Sequence, residues 1–370
     1  MIPLNANLGS LRRSPIRCFT NLAKEAPGCI MLTLGEPDFD TPAPICQAAE
    51  AALTQGRTHY APNQGTEDLR RAVADREHCR PEQVLITAGA TGALFTALLG
   101  ILNPGEEVVI PTPAFNLYET IVTVAGGRPV ALDAMASDLQ LTEEMLASVI
   151  TPRTKAILLN SPNNPTGAVL SQASLEAVKR AVTGKPIFVI CDEVYRLLSY
   201  GDCPRLWGDP ALADQLLLCQ SFSKPWAMTG WRVGYLVTPE YVMDRLLLLH
   251  AAEVAAVPTF LQDACVTALS QDVTPMREEY RLRRDFLRAR LEQMGLRCPE
   301  PRGAFYLFPD ISRFGMDSET FCTRMIRQAK VAAVPGSCFG AEGHIRISYA
   351  NSMENLKIAM DRMENFLNTL

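Results

Sequence analysis

The chain has 370 residues, more than one typical hydrophobic core supports, so two domains, or one large sheet domain with a smaller satellite, are expected. Its 35 basic and 40 acidic residues nearly balance, and no basic block points to a nucleic acid or a membrane surface as partner. Eleven scattered cysteines lack the close pairing of zinc or redox motifs and read as free thiols in a reducing compartment, while His59, His78, His250 and His344 are too dispersed for a metal site.

The N-terminal stretch MIPLNANLGSLRRSPIRCF has no apolar signal-peptide core, so a cytoplasmic protein is expected. Residues 1–30 read as an irregular arm with one helix, followed by a strand over 30–34. Gly35 to Asp40 is a loop. Thr41 and Pro42 then open a helix over 43–55 as N-cap and first helical residue, and a second loop runs from Tyr60 to Gly65. Val84 to Gly105 carries no charge and is long enough to span a membrane. Its inner pattern predicts a strand over Val84–Thr87, a glycine-rich turn over Ala88–Gly92 and a buried helix from Ala93 to Leu102. Further short apolar strands are expected at Val108–Pro111, Pro129–Leu132, Ala156–Leu159, Ile187–Cys191, Leu216–Cys219 and Val233–Val237. Strands of this kind alternating with helices predict an α/β fold with a mostly parallel seven-stranded sheet covered on both faces, which binds ligands at the strand C-terminal ends.

A long helix is expected from Thr238-Pro239 and another from Thr274-Pro275 to about Met294, with Gly295 as its stop. The charged run from Arg277 to Asp285 is the solvated face of the second. Strands over 304–308, 331–334 and 344–348 with helices over 318–330 and 352–368 describe a smaller α+β domain made from both chain ends. The expected division is an arm and part of the small domain in 1–40, a large domain in 41–270 and the rest of the small domain in 271–370.

The chemistry centres on Ser221-Phe222-Ser223-Lys224-Pro225-Trp226-Ala227-Met228-Thr229-Gly230-Trp231-Arg232. Most lysines are solvated surface charges. An amine at the end of a buried strand instead loses solvation, which favours the neutral form that builds Schiff bases. Arg232 is placed to clamp a phosphate through two parallel hydrogen bonds. Gly89-Ala90-Thr91 stands where a strand gives way to a helix, a common turn whose N–H groups and positive helix end also make an anion site. Phe115 offers a ring to stack on a flat heteroaromatic group. Asn164, in the polar turn Asn160 to Gly167, points an amide at the ligand crevice. Asp192 ends a buried strand and should meet a cation there, because an unpaired buried carboxylate is costly. Arg346, on the strand over 344–348, reads by itself as a surface arginine, although a guanidinium can also hold a carboxylate as a fork.

The strings LGEPDFDTP, YAPNQG, TAGAT, SPNNPTG, CDEVY, SFSK, GWR, GAFY, VPGSCFG and RIS, in this order from residue 30 to 350, resemble the class I and II aminotransferases, which are fold-type I enzymes using pyridoxal 5'-phosphate. The resemblance implies that Lys224 holds the cofactor and then shuttles the substrate proton. It implies that Asp192 faces the ring nitrogen, that Asn164 and Tyr195 bind the ring oxygen, and that Phe115 stacks on the ring. Gly89, Ala90, Thr91, Ser221, Ser223 and Arg232 would bind the phosphate, joined by Tyr60 from the other subunit of a homodimer with shared sites. Arg346, Gly35, Asn164 and Ile16 would contact the substrate. Two departures stand out: Phe115 replaces a larger or hydroxylated aromatic, and the connection from Leu69 to Val84 is short.

A β-lyase acting on sulfur amino acids shares the fold, but LGEPDFDTP is closer to the transaminating branch. A non-enzymatic effector domain of a transcription regulator would need a helix-turn-helix module, for which the arm before LGEPDF leaves no room. A neutral, apolar or aromatic amino acid is the expected donor. Leu246 to Met276 contains no Lys or Arg, Gly92 to Leu102 is uncharged, and Ile16, Phe19, Phe115 and Tyr118 offer apolar surface. Arg12, Arg13 and Arg17 on the arm are the cations left to close over the site.

Overall fold

The computed structural model describes residues 15–370 and the isolated positions 7, 9 and 11, with every side chain from Arg17 onward. Arg12, Arg13 and the side chain of Ile16 lie outside the described residues.

Helix α1 (Pro15–Lys24) leads to β1 (Ile30–Met31), α2 (Ala43–Thr54) and α3 (Glu67–Glu77). Strands and helices then alternate: β2 (Val84–Thr87), α4 (Gly89–Ile101), β3 (Glu107–Thr112), α5 (Leu117–Val124), β4 (Arg128–Asp133) and α6 (Glu143–Val149). The series continues through β5 (Thr154–Asn160), α7 (Gln172–Val182), β6 (Phe188–Asp192), β7 (Leu216–Ser221) and β8 (Gly234–Val237). Three helices follow, α8 (Glu240–Val254), α9 (Thr259–Leu269) and α10 (Thr274–Gln293). The last part holds β9 (Tyr306–Leu307), α11 (Ser318–Ala329), β10 (Val331–Ala332), β11 (Val334–Pro335), β12 (Ile345–Ser348) and α12 (Met353–Leu367).

Strands β2 to β8 form the expected seven-stranded sheet in the order β2-β8-β7-β6-β5-β3-β4, parallel except for β8, which runs antiparallel to β2 and β7. Successive residues of a strand point to opposite faces, so a sheet covered on both sides needs apolar residues throughout. Val108 and Ile110 accordingly pack with Leu98, Ile121 and Met243 from α4, α5 and α8, while Val109 packs on the other face with Val73, Val178 and Ala264 from α3, α7 and α9. The parallel register sets Asn160 beside Asp192 and Asp192 beside Cys219, which gathers the C-terminal ends of β5, β6 and β7. In the remaining part, β1 pairs with β10, and β11-β12-β9 form a small antiparallel sheet. Their core holds Phe19 of α1, Tyr280 and Leu287 of α10, Phe321 of α11 and Met360 of α12, together with Phe305.

Several local expectations are corrected. The glycine-rich turn after β2 is already helical, since α4 begins at Gly89. Thr41 does not cap α2: Pro42 takes the N-cap position, and the Thr41 hydroxyl donates to the Ala227 carbonyl at 2.7 Å. The helix from Thr238-Pro239 ends at Val254, where Ala255 turns to a φ of 58°, and Pro258 precedes a separate α9. The strand over 331–334 divides at Ala333 because its halves belong to different sheets. The strand over 304–308 is only Tyr306–Leu307, since Ala304 has a φ of 58°, and the strand over 30–34 is only Ile30–Met31. Among the described residues no helix is long and apolar enough to cross a membrane.

Candidate active site

A cavity of about 290 Å3 lies at the gathered strand ends, and the Lys224 side chain reaches its wall. Its floor is an anion cradle. Ala90 and Thr91 come from the first turn of α4, where unpaired N–H groups and the helix dipole favour negative charge. Gly234 at the start of β8 lets that turn approach, for a Cβ there would stand 2.6 Å from the Gly89 carbonyl carbon and 2.7 Å from the Ala90 nitrogen. Ser221 and Ser223, at and just past the end of β7, are linked by a 2.9 Å hydroxyl–hydroxyl bond. Arg232 lies in left-handed backbone at φ 55°, donates one guanidinium N–H to the Thr229 carbonyl at 2.9 Å and lies against Gly89, where a Cβ would come within 2.8 Å of its other terminal nitrogen. A positive φ in a non-glycine residue is strained and persists where surroundings over-determine it.

Above the cradle, Lys224 donates through Nζ to the Gly35 carbonyl at 2.6 Å. Burial lowers its pKa to about 8, against the opposing charge of Glu36 and with help from Arg232 and Arg346. Such an amine is a working nucleophile and base near neutral pH. Across the cavity, Asp192 at the end of β6 accepts the Tyr118 O–H at 2.7 Å and the Val194 N–H at 3.2 Å. Burial raises its pKa to about 6, with the Tyr118 hydrogen bond as the main opposing cause. The Asn160 amide donates to the Asp192 backbone carbonyl at 3.0 Å and accepts the Asn164 N–H at 2.8 Å, tying two strand ends to the Asn164 turn.

The wall from the small sheets carries Arg346 of β12, which is 2% exposed. It donates to Asn164 Oδ1 at 2.9 Å and to the Thr33 carbonyl at 2.7 Å, and its guanidinium lies 4.6 Å from the Tyr306 ring centre and 5.0 Å from that of Phe339. Its Nε is buried without a partner. A buried guanidinium N–H left unpaired costs free energy, and a carboxylate on that edge would remove the cost. Tyr195 shares a 2.8 Å hydroxyl bond with Tyr306.

Gly35, Ala90, Thr91, Phe115, Asn164, Asp192, Tyr195, Ser221, Ser223, Lys224, Arg232 and Arg346 therefore line one cavity, and Gly89 abuts it through Arg232. Tyr60 does not reach it; this ring is 94% exposed in a separate cleft beside Val257 and Phe260. Phe19 is not substrate surface either, since it is buried in the core of the small sheets. Tyr118, read from the sequence as apolar surface, is instead the partner of Asp192. Tyr306 and Asn160 were missed as well. Tyr306 ends GAFY and Asn160 immediately precedes SPNNPTG, but which side chains they would meet depends on strand order.

A doubly covered sheet with a reactive lysine, an uncompensated carboxylate and an anion cradle at its C-terminal edge is the architecture of the fold-type I transferases. Residues 27–363 match the family model of aminotransferase class I and II, and the chain belongs to that family. It is 39% identical to an aromatic-amino-acid aminotransferase 2 of Thermococcus litoralis over 98% of both chains, and 38% identical to an aspartate aminotransferase of Pyrococcus abyssi, again over 98% of each. The solved aspartate aminotransferase of Thermus thermophilus with maleate superposes with a TM-score of 0.94 at 36% identity, covering 99% of this chain and 100% of that one. This similarity over nearly the whole length makes the chain an aminotransferase rather than a β-lyase.

Proposed function

We propose that this aminotransferase works with pyridoxal 5'-phosphate and moves the amino group of a neutral or aromatic L-amino acid to a 2-oxo acid. The observation that carries the reading is Lys224, its pKa lowered to about 8, lining one cavity with the anion cradle and Asp192. The residues fit the cofactor: a cradle for its phosphate, an amine for its aldehyde, a buried carboxylate for its ring nitrogen and the Asn164 and Tyr195 side chains for its ring oxygen. When bound, that ring supplies an electron sink for negative charge at the substrate α-carbon. Lys224 then holds and returns the α-proton as general base and acid. Arg346, through its unpartnered Nε edge, orients the substrate carboxylate, with the Gly35 backbone beside it.

The donor class follows from charge. Among the described residues, the cations lining the cavity are Lys224, Arg232 and Arg346, and each has a task above. Leu94, Phe115, Leu117 and Val194 make the apolar part of the wall, so a second carboxylate would be buried unpaired. We read the chain as a cytoplasmic homodimer in which Tyr60, far from its own cavity, reaches the phosphate of its partner. The domain division remains 1–40 and 271–370 against 41–270. A panel of amino donors tests the function. The kcat/KM for leucine, methionine and phenylalanine should exceed that for aspartate and glutamate, and borohydride reduction should fix the cofactor to Lys224. A tenfold preference for aspartate, about 1.4 kcal/mol in transition-state binding, would overturn the donor class.

A further inference from the structure

Asp192 is exceptional among the buried carboxylates of the sheet, because no Lys or Arg of the described residues forms an ion pair with it. The titratable groups facing it are Tyr118 from α5, Cys219 from β7, Cys191 from its own strand, Tyr195 from the following turn and Lys224 from the segment after β7, the last acting through charge alone. Only Tyr118 donates a side-chain hydrogen bond, to Oδ2 at 2.7 Å. The ring is 2% exposed, stands edge-on to Phe115 at 5.9 Å and 86°, and is carried on the first turn of α5, where it forms part of the cavity wall. Burial, reinforced by the Asp192 charge, pushes the phenol well above its ordinary pKa, so it stays a donor throughout the working pH range.

We propose that Tyr118 is a positioning residue of this site: its phenolic O–H fixes the orientation of the Asp192 carboxylate and holds it ionised in a wall that offers it no cation. Occupying Oδ2 leaves Oδ1 and the remaining lone pairs turned to the Val194 amide and the cavity. A carboxylate so shared is also less basic, so a proton placed between it and a ring nitrogen stays further toward the ring. The action on a ring nitrogen rests on the pyridoxal phosphate reading above. The titration of the carboxylate without cofactor does not, and the two therefore fail separately.

The experiment follows the carboxyl stretch of the full-length chain freed of cofactor by difference infrared spectroscopy across pH, with Asp192→Asn identifying the band. In Tyr118→Phe the Asp192 midpoint should rise by about one pH unit, the size of one charge-assisted hydrogen bond. Replacing Tyr118 with difluorotyrosine, a more acidic phenol of nearly the same size, should lower the midpoint while leaving the packing in place. In the holoenzyme carrying ring-15N cofactor, Tyr118→Phe should shift the nitrogen resonance toward that of neutral pyridine. A role in packing alone predicts no opposed shifts. Midpoints that stay put in both variants or move in the same direction overturn the proposal, as does a Tyr118→Phe protein with no band lost in its Asp192→Asn derivative.

Discussion

Asp192 and Glu77 are both buried carboxylates packed against the same sheet, yet they have opposite surroundings. Glu77, at the end of α3 and 1% exposed, takes Arg196 at 2.7 Å and the Tyr235 hydroxyl at 2.7 Å on one oxygen and Arg205 at 2.9 Å on the other. Glu193 lies within 2.7 Å of Arg205 and 3.1 Å of Arg196, so two carboxylates face two guanidiniums, and the Trp207 indole donates to the Glu77 carbonyl at 2.9 Å. Asp192, one residue before Glu193, meets one phenol, one amide and an open cavity. Charge that is closed on itself holds the loop after β6 to α3 and β8. Charge left open is destabilising in the empty fold and available to a ligand.

Breaking the closed cluster gives the largest effect on stability. Glu77→Gln leaves two guanidiniums against one carboxylate, and urea unfolding should show a loss of about 3–5 kcal/mol. A loss below about 1 kcal/mol would mean that the cluster is solvated and the contrast with Asp192 unfounded.

The same operation on the open charge should have the opposite sign. Asp192 is raised from 3.8 to about 6, so the folded chain binds a proton that the unfolded chain has released. Stability then falls as pH rises from about 4 to 6, and the penalty, about 3 kcal/mol, is complete above that window. Asp192→Asn should therefore stabilise the cofactor-free chain at neutral pH and remove the slope, while abolishing most of the activity. A variant less stable than the parent at pH 7 contradicts this.

Lys224 gives a gentler version at higher pH. Its folded pKa of about 8 lies below the ordinary 10.5, so between these values the unfolded chain holds a proton that the folded chain has lost, and stability rises with pH across that window. Lys224→Met should flatten the rise, and melting temperatures of parent and variant from pH 7 to 10 would decide the point.

Local pattern alone was enough for the seven apolar strands and most of the helices between them, because burial on both faces and glycine or polar turns at strand ends leave their marks on neighbouring residues. The lysine, carboxylate, asparagine and arginines that line the cavity were singled out by the ordered set of motifs, since a lone lysine or a strand arginine reads as a surface charge. It was not enough where the partner lies far along the chain. Tyr118 and Asp192 are 74 residues apart, and Glu77 meets Arg196 and Arg205 across 119 and 128 residues. A tyrosine three residues after a phenylalanine reads as apolar surface until the fold brings the C-terminal end of β6 to the first turn of α5. A glutamate at a helix end reads as solvated until the loop after β6 folds over it. Likewise the residues from Val331 to Val334 have one strand-like pattern but serve two sheets, since pairing is chosen by which edges the tertiary fold leaves open.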